Sequence, residues 1–132
     1  MKRIINIRAI LVVLALILIF SGCQNSKEEQ MRHIVIFKYN PTATAVQIEK
    51  VTNTLSDLQN KIPGIVAFEH GVNNSPENKN IGFTHIYMFT FEDAESRDVY
   101  LPHPEHQKFG EMLGEMGIVE DVFVVDYAPV DK

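Results

Sequence analysis

Thiols, basic residues and long apolar runs are all scarce in this chain, and each shortage closes off a class of function. One cysteine, Cys23, stands among 132 residues, so no internal disulfide can form. Lys and Arg number 12 against 17 Asp and Glu, a formal charge of −5. Affinity for phosphate backbones comes largely from clustered Lys and Arg, so no nucleic-acid partner is expected. The five histidines show no HxH or HxxxH spacing, so pattern gives no support to a metal site built from His33, His85 or His103. Tryptophan is absent. There is no internal repeat and no low-complexity tract. Nor is any apolar run comfortably long enough to cross a bilayer, which takes about 20 residues.

What is present begins at the N-terminus. Lys2, Arg3 and Arg8 form a basic region, residues 9–20 (AILVVLALILIF) are uninterruptedly apolar, and Ser21-Gly22 lead to Cys23. That is the layout of a secretory signal. Small residues directly before a cysteine resemble the bacterial lipobox, in which the thiol receives diacylglycerol and the leader is cut so that cysteine becomes residue one. Phe20 stands where that motif usually has leucine. The expectation is a signal peptide over residues 1–22, lipidation at Cys23, and a polar tether over residues 23–30. The alternative is an ordinary signal or uncleaved anchor with an incidental cysteine. Acyl chains such as palmitate would hold the protein at the membrane, each buried methylene adding about 0.8 kcal/mol. An acylated Cys23 is lost to thiolate chemistry and metal ligation. Losing Lys2, Arg3 and Arg8 takes the charge from −5 to −8, so anionic lipid adds nothing to the anchoring. Gln24 is not the aspartate associated with inner-membrane retention. The expected location is the cell envelope, on the outer membrane or facing the periplasm where two membranes exist.

About 100 residues remain, enough for one hydrophobic core. Residues 33–39 (HIVIFKY) read as a strand stopped by Asn40-Pro41. Thr44 and Gln47 fit a capping box, and Ile48, Val51, Leu55, Leu58 and Ile62 recur at helical spacing until Pro63-Gly64. Residues 65–72 read as a second strand, 73–82 as a polar loop, and 83–91 (FTHIYMFTF) as a third strand. A short acidic helical turn over 92–101 precedes a second helix carrying Phe109, Met112, Leu113 and Met116, and residues 119–127 form a fourth strand. The order β-α-β-β-α-β is the ferredoxin-like arrangement: an α+β fold with a four-stranded antiparallel sheet and two helices on one face. Strands three and four are apolar on both parities. Helices cover one face only, so the other needs a partner, and a homodimer with packed sheets is the expected solution.

Residues 32–38 (RHIVIFK), 62–64 (IPG), 101–106 (LPHPEH) and 122–127 (VFVVDY), in this order, resemble the stress-responsive A/B barrel domain, with a domain spanning residues 31–129. The resemblance implies a dimeric α+β barrel. It also brings in a plant polyketide cyclase of the family, whose tyrosine–histidine pair performs acid–base chemistry in a pocket between sheet and helices. Carried over position by position, the tyrosine falls on Tyr100 and the histidine on His106, with His103-Pro104 in register between them. Two pocket histidines fall on His33 and His85, and an aromatic position on the first helix is Leu55 here. Tyr87 shares the parity of His85 and joins the candidate ligand-binding residues.

The residues agree in part. His106 lies on the stripe of Phe109 and Leu113, and His33 has the parity of Val35 and Phe37, so one apolar pocket holding His33, His85, Tyr100 and His106 is expected. Plainer readings stand beside this. His103-Pro104 only starts a helix, His106 is a core histidine bonded to a carbonyl, and Tyr100 is packing. His70 receives no role. Four functions compete: a lipid-anchored module binding a small apolar ligand; a cofactor-free cyclase, lyase or isomerase in which His106 takes a proton and Tyr100 donates to an enolate oxygen; a structural protein; and a monooxygenase of the same superfamily. The last ranks lowest, because such sites lean on tryptophan. No cofactor is expected.

Overall fold

The structure is a computed structural model that describes residues 29–130. The expected signal peptide, Cys23 and the tether up to residue 28 lie outside the described residues. The elements are β1 (Met31–Tyr39), α1 (Ala45–Asp57) prolonged by a 3-10 turn (Leu58–Asn60), β2 (Ile65–Val72), β3 (His85–Phe91), α2 (Ala94–Tyr100), α3 (Pro104–Met116) and β4 (Val119–Tyr127). All strand pairs are antiparallel and the sheet order is β2-β3-β1-β4. This is the ferredoxin-like α+β arrangement. The acidic segment after β3 is a short helix of its own, α2.

Local chemistry explains the boundaries. At the start of α1 the capping box forms as read: the Gln47 amide donates to Thr44 Oγ1 at 3.3 Å and the Thr44 amide to Gln47 Oε1 at 2.9 Å. The third strand starts at His85 rather than Phe83. Ile81 and Gly82 have φ of 52° and 87°, and the Phe83 amide donates to the Asn80 carbonyl at 2.8 Å, which closes a turn where the strand was expected. Gly64 links α1 to the sheet at φ 85°; a Cβ there would lie 2.6 Å from Ser96 Cβ on α2. Only glycine lets α2 approach that closely.

Between sheet and helices the core is aromatic. Tyr87, Phe89 and Phe91 form a ladder along the helix-facing side of β3, and Phe37, Val51, Leu55, Leu58, Tyr100 and Phe109 close around it, all buried. Burying each such side chain contributes about 1.5–3 kcal/mol. The register aligns Ile34, Ile36, Ile86, Met88, Phe123 and Val125 on the opposite face, which no helix among the described residues covers. β4 goes further. Val122, Phe123, Val124 and Val125 are 40, 52, 51 and 36 % exposed, although they alternate between the two faces. Helix cover therefore thins beyond β1, reaching β4 where Arg97 of α2 meets Asp126, and the middle of this apolar edge strand is exposed on both sides.

Candidate functional site

The corner between α2 and α3 places two side chains, Tyr100 by packing against Phe89 and Phe91 and His106 by a hydrogen bond. Tyr100 is the last residue of α2. The chain turns through Leu101-Pro102-His103, where the His103 amide donates to the Tyr100 carbonyl at 3.0 Å. His103 is then the N-cap of α3, its Nδ1 accepting from the Glu105 amide at 3.2 Å, with Pro104 in the first turn. The helix-starting reading of His103-Pro104 is the one observed. One turn into α3, His106 swings back over Tyr100, with ring centroids 4.3 Å apart. Its Nδ1 lies 3.0 Å from the Leu101 carbonyl oxygen. A carbonyl only accepts, so Nδ1 carries the proton, and a neutral His106 presents a bare Nε2.

The sheet contributes the third member. His33, in β1, is 4 % exposed, with its ring 5.8 Å from that of Tyr100. Its Nδ1 is 2.6 Å from Asp126 Oδ1, a cross-strand partner on β4. The other Asp126 oxygen pairs with Arg97 of α2, which also holds Asp98 at 2.7 Å. Burial works to raise the Asp126 pKa, but hydrogen bonds from His33 and Arg97 outweigh it and hold the carboxyl below its usual value. An ionised Asp126 accepts from His33, so the Nδ1 of His33 is also the protonated nitrogen and its Nε2 faces away from the carboxylate.

Protonation at this corner follows from burial. Desolvation lowers the His106 pKa, with the Leu101 carbonyl pulling the other way and the neighbouring His33 and His103 adding to the lowering. Desolvation raises the Tyr100 pKa far above its ordinary 10.0, so the phenol keeps its proton. At neutral pH the pair is a neutral imidazole beside a protonated phenol. Among the described residues neither the Tyr100 hydroxyl nor the Nε2 of His106 has a hydrogen-bond partner. Among them, too, every fully buried side-chain polar atom has one. The Tyr100 hydroxyl is therefore the part of an otherwise buried side chain that reaches accessible space. A base and a donor stand together, the half-buried His106 over a Tyr100 whose hydroxyl meets accessible space across a small area only.

The remaining candidates lie elsewhere, which corrects the expectation of one pocket holding four groups. His33 pairs with Phe89 and His85 with Phe37, four positions along β1. At about 3.3 Å per residue this separates the two imidazoles by roughly 13 Å. His85 instead packs edge-on against Tyr39 at 4.9 Å and its Nδ1 is 2.9 Å from Thr84 Oγ1; burial lowers its pKa. Tyr87 and Leu55, 1 and 3 % exposed, fill the space between the two ends. The Tyr87 hydroxyl is fixed by Tyr39 and Thr52, each 3.0 Å away. Beyond it opens a separate cleft of about 470 Å³ between α1 and β2, lined by Ile48, Thr52, His70, Val72, His85 and Tyr87. Among the described residues no group of three or more His, Cys, Asp or Glu is placed to hold a metal ion.

Asp126 and Arg97 escaped the sequence reading. Asp126 did carry a signal: it is a charge on the parity of Val122 and Val124 at the far end of the apolar β4, and a charge there needs a partner. Arg97 had none, since its role depends on how α2 sits over the end of β4. The bond of His106 to a carbonyl was among the plain readings; that the carbonyl belongs to Leu101 is not visible from residue type.

Fold and site together define a ferredoxin-like α+β domain with an acid–base cluster where its helical corner meets the sheet. Residues 31–129 match the model of the Stress responsive A/B Barrel Domain, and the chain belongs to that family. It is 31% identical over 99 residues to olivetolic acid cyclase from Cannabis sativa, covering 75% of this chain and 96% of the cyclase. The structure of a hydroxynitrile lyase from Passiflora edulis aligns with a TM-score of 0.71 at 25% identity, covering 79% of this chain and 96% of the lyase. A dimeric ferredoxin-like protein from Jannaschia sp. CCS1 aligns at 0.65 and 27% identity, covering 76% and 99%.

Proposed function

We propose that this protein is a cofactor-free acid–base catalyst acting on a small carbonyl compound, of the cyclase, lyase or isomerase kind. The observation that carries the reading is the pair in ring contact, a neutral His106 with its Nε2 bare beside a Tyr100 hydroxyl that lacks a protein partner. His106 Nε2 takes a proton from carbon next to the carbonyl. The electron pair moves onto the carbonyl oxygen, and Tyr100 donates a hydrogen bond to the enolate as it forms. His33, oriented by Asp126, offers a second contact to the substrate. Relatives named as a cyclase and a lyase support this class of chemistry. The test is exchange of the central protons of pentane-2,4-dione for deuterium, followed by NMR. His106→Ala should slow the protein-catalysed exchange by about 100-fold or more. Tyr100→Phe should also slow it while leaving the fold intact. Exchange that is equally fast in all three proteins would reject the reading.

The cleft beside His85 favours a second role, a module that holds a small, mostly apolar ligand between α1 and β2. In either role the protein is proposed to act as a homodimer, its helix-free sheet face and bare β4 covered by a second copy. The dimeric relative and the aligned apolar face support this. It is further proposed to sit at the cell envelope, on the outer membrane or facing the periplasm, tethered through acylated Cys23.

A further inference from the structure

The aromatic ladder of β3 sets an upper limit on what the Tyr100–His106 pair can accept. We infer that the site takes compact carbonyl compounds of a few carbons, and that Phe89 and Tyr87 exclude any substrate with a long apolar tail. This rests on the acid–base reading above. A tail entering from the pair would have to run along the helix-facing side of β3, between sheet and helices. That route begins at Phe89, whose ring lies 5.3 Å from Tyr100 and 6.4 Å from His33. Phe89 is 0 % exposed. Behind it Phe68 packs 4.8 Å from Phe89 and 6.4 Å from Tyr87, and Phe37 stands 5.2 Å from Tyr87. Leu55 and Val51 of α1 seal the far side.

Tyr87 is the fixed element of this barrier. Thr52 Oγ1 donates to the Ile48 carbonyl at 3.0 Å, so its oxygen is left to accept from Tyr87, whose own oxygen accepts from Tyr39. A phenol held at both sides of its hydroxyl does not swing aside as a phenylalanine would. Past it lies the cleft of about 470 Å³. Space of the size a tail needs thus exists within the fold, on the wrong side of Tyr87 and Phe89. Approach to the pair is left to the side of His106, the half-buried member, with Tyr100 as the floor.

The experiment titrates the full chain with two 1,3-diketones, pentane-2,4-dione and its heptyl-tailed homologue undecane-2,4-dione. It reads the His106 imidazole signals by NMR at matched free concentrations fixed by dialysis. The short diketone should shift His106, and the long one should bind at least tenfold more weakly. Phe89→Ala should remove most of that discrimination, with Phe89→Leu as the milder opening should the alanine variant fail to fold. Tyr87→Phe, which keeps the shape and frees the ring, should relax it only in part. Equal binding of both diketones to the unaltered protein overturns the inference, as does failure of the short one to reach His106. Discrimination without deuterium exchange leaves the size limit standing and rejects the acid–base reading instead.

Discussion

Replacing Asp126 with asparagine removes one charge and keeps the shape, which isolates the ionic part of the site. Asp126 accepts from the Nδ1 of His33 at 2.6 Å, where His33 is 4 % exposed, and pairs with Arg97 through its second oxygen. A hydrogen bond to a charged group is worth about 1.5–3 kcal/mol when partly buried. The Arg97 pair lies nearer solvent and Arg97 is shared with Asp98, so it adds less than about 1 kcal/mol. Asparagine still offers His33 one oxygen, so the expected loss is about 1.5–2 kcal/mol at pH 7, with alanine costing more. For a domain of about 100 residues this lowers Tm by roughly 6–16 °C. The pH dependence has a definite sign. The folded carboxyl titrates below its ordinary value, so its contribution is present above the unfolded Asp pKa of about 3.9 and is lost as pH falls through the lower folded value. Urea unfolding followed by circular dichroism should show this gap between the two proteins at pH 7. The gap should narrow below pH 4 and close once Asp126 is protonated. A gap under about 0.5 kcal/mol at pH 7, or one that persists undiminished at the acid end, would refute the assignment of Asp126 as an ionised partner of His33.

Three further outcomes follow. The rate of diketone exchange should rise with pH through a value below the ordinary histidine pKa, because burial holds His106 below 6.5, and should not fall again near 10, because Tyr100 titrates well above that; a limb rising above pH 7 contradicts this. Met88→Lys puts a charge on the helix-free sheet face and should dissociate the dimer in sedimentation, since an unpaired buried charge costs several kcal/mol; an unaltered protein that is itself monomeric at micromolar concentration removes the premise. Cys23→Ser should abolish acyl mass and move the protein out of the detergent phase, whereas detergent partitioning that is unchanged places the anchor elsewhere.

The fold was legible because its signals are local and repeat. The alternation through Tyr87, Phe89 and Phe91 and the Thr44–Gln47 box each act within a few residues and appear where the pattern puts them. The helix expected to run to Pro63-Gly64, by contrast, gives way to a 3-10 turn after Asp57. The start of β3 was missed because Ile81 adopts a positive φ, which a β-branched residue does not advertise. At the site, the pairing of Tyr100 with His106 came from the resemblance to the family, and the short turn between them brings the two rings together. His85 could not be told apart from His33 by parity. Both face the helices, and what separates them is distance along the strands, which follows from register. The packing that divides the two ends depends on the volumes of Tyr87, Phe89 and Leu55 together, and no single position shows it.

The central claim is that His106 is a neutral base whose Nδ1 is protonated and whose Nε2 is free, and nitrogen NMR of the labelled imidazole tests it directly. The account predicts a proton on Nδ1 alone at pH 7, held by the Leu101 carbonyl, with a titration midpoint below 6.5 and a shift of the Nε2 signal when pentane-2,4-dione is added. An imidazolium at pH 7, or a proton found on Nε2, would contradict it.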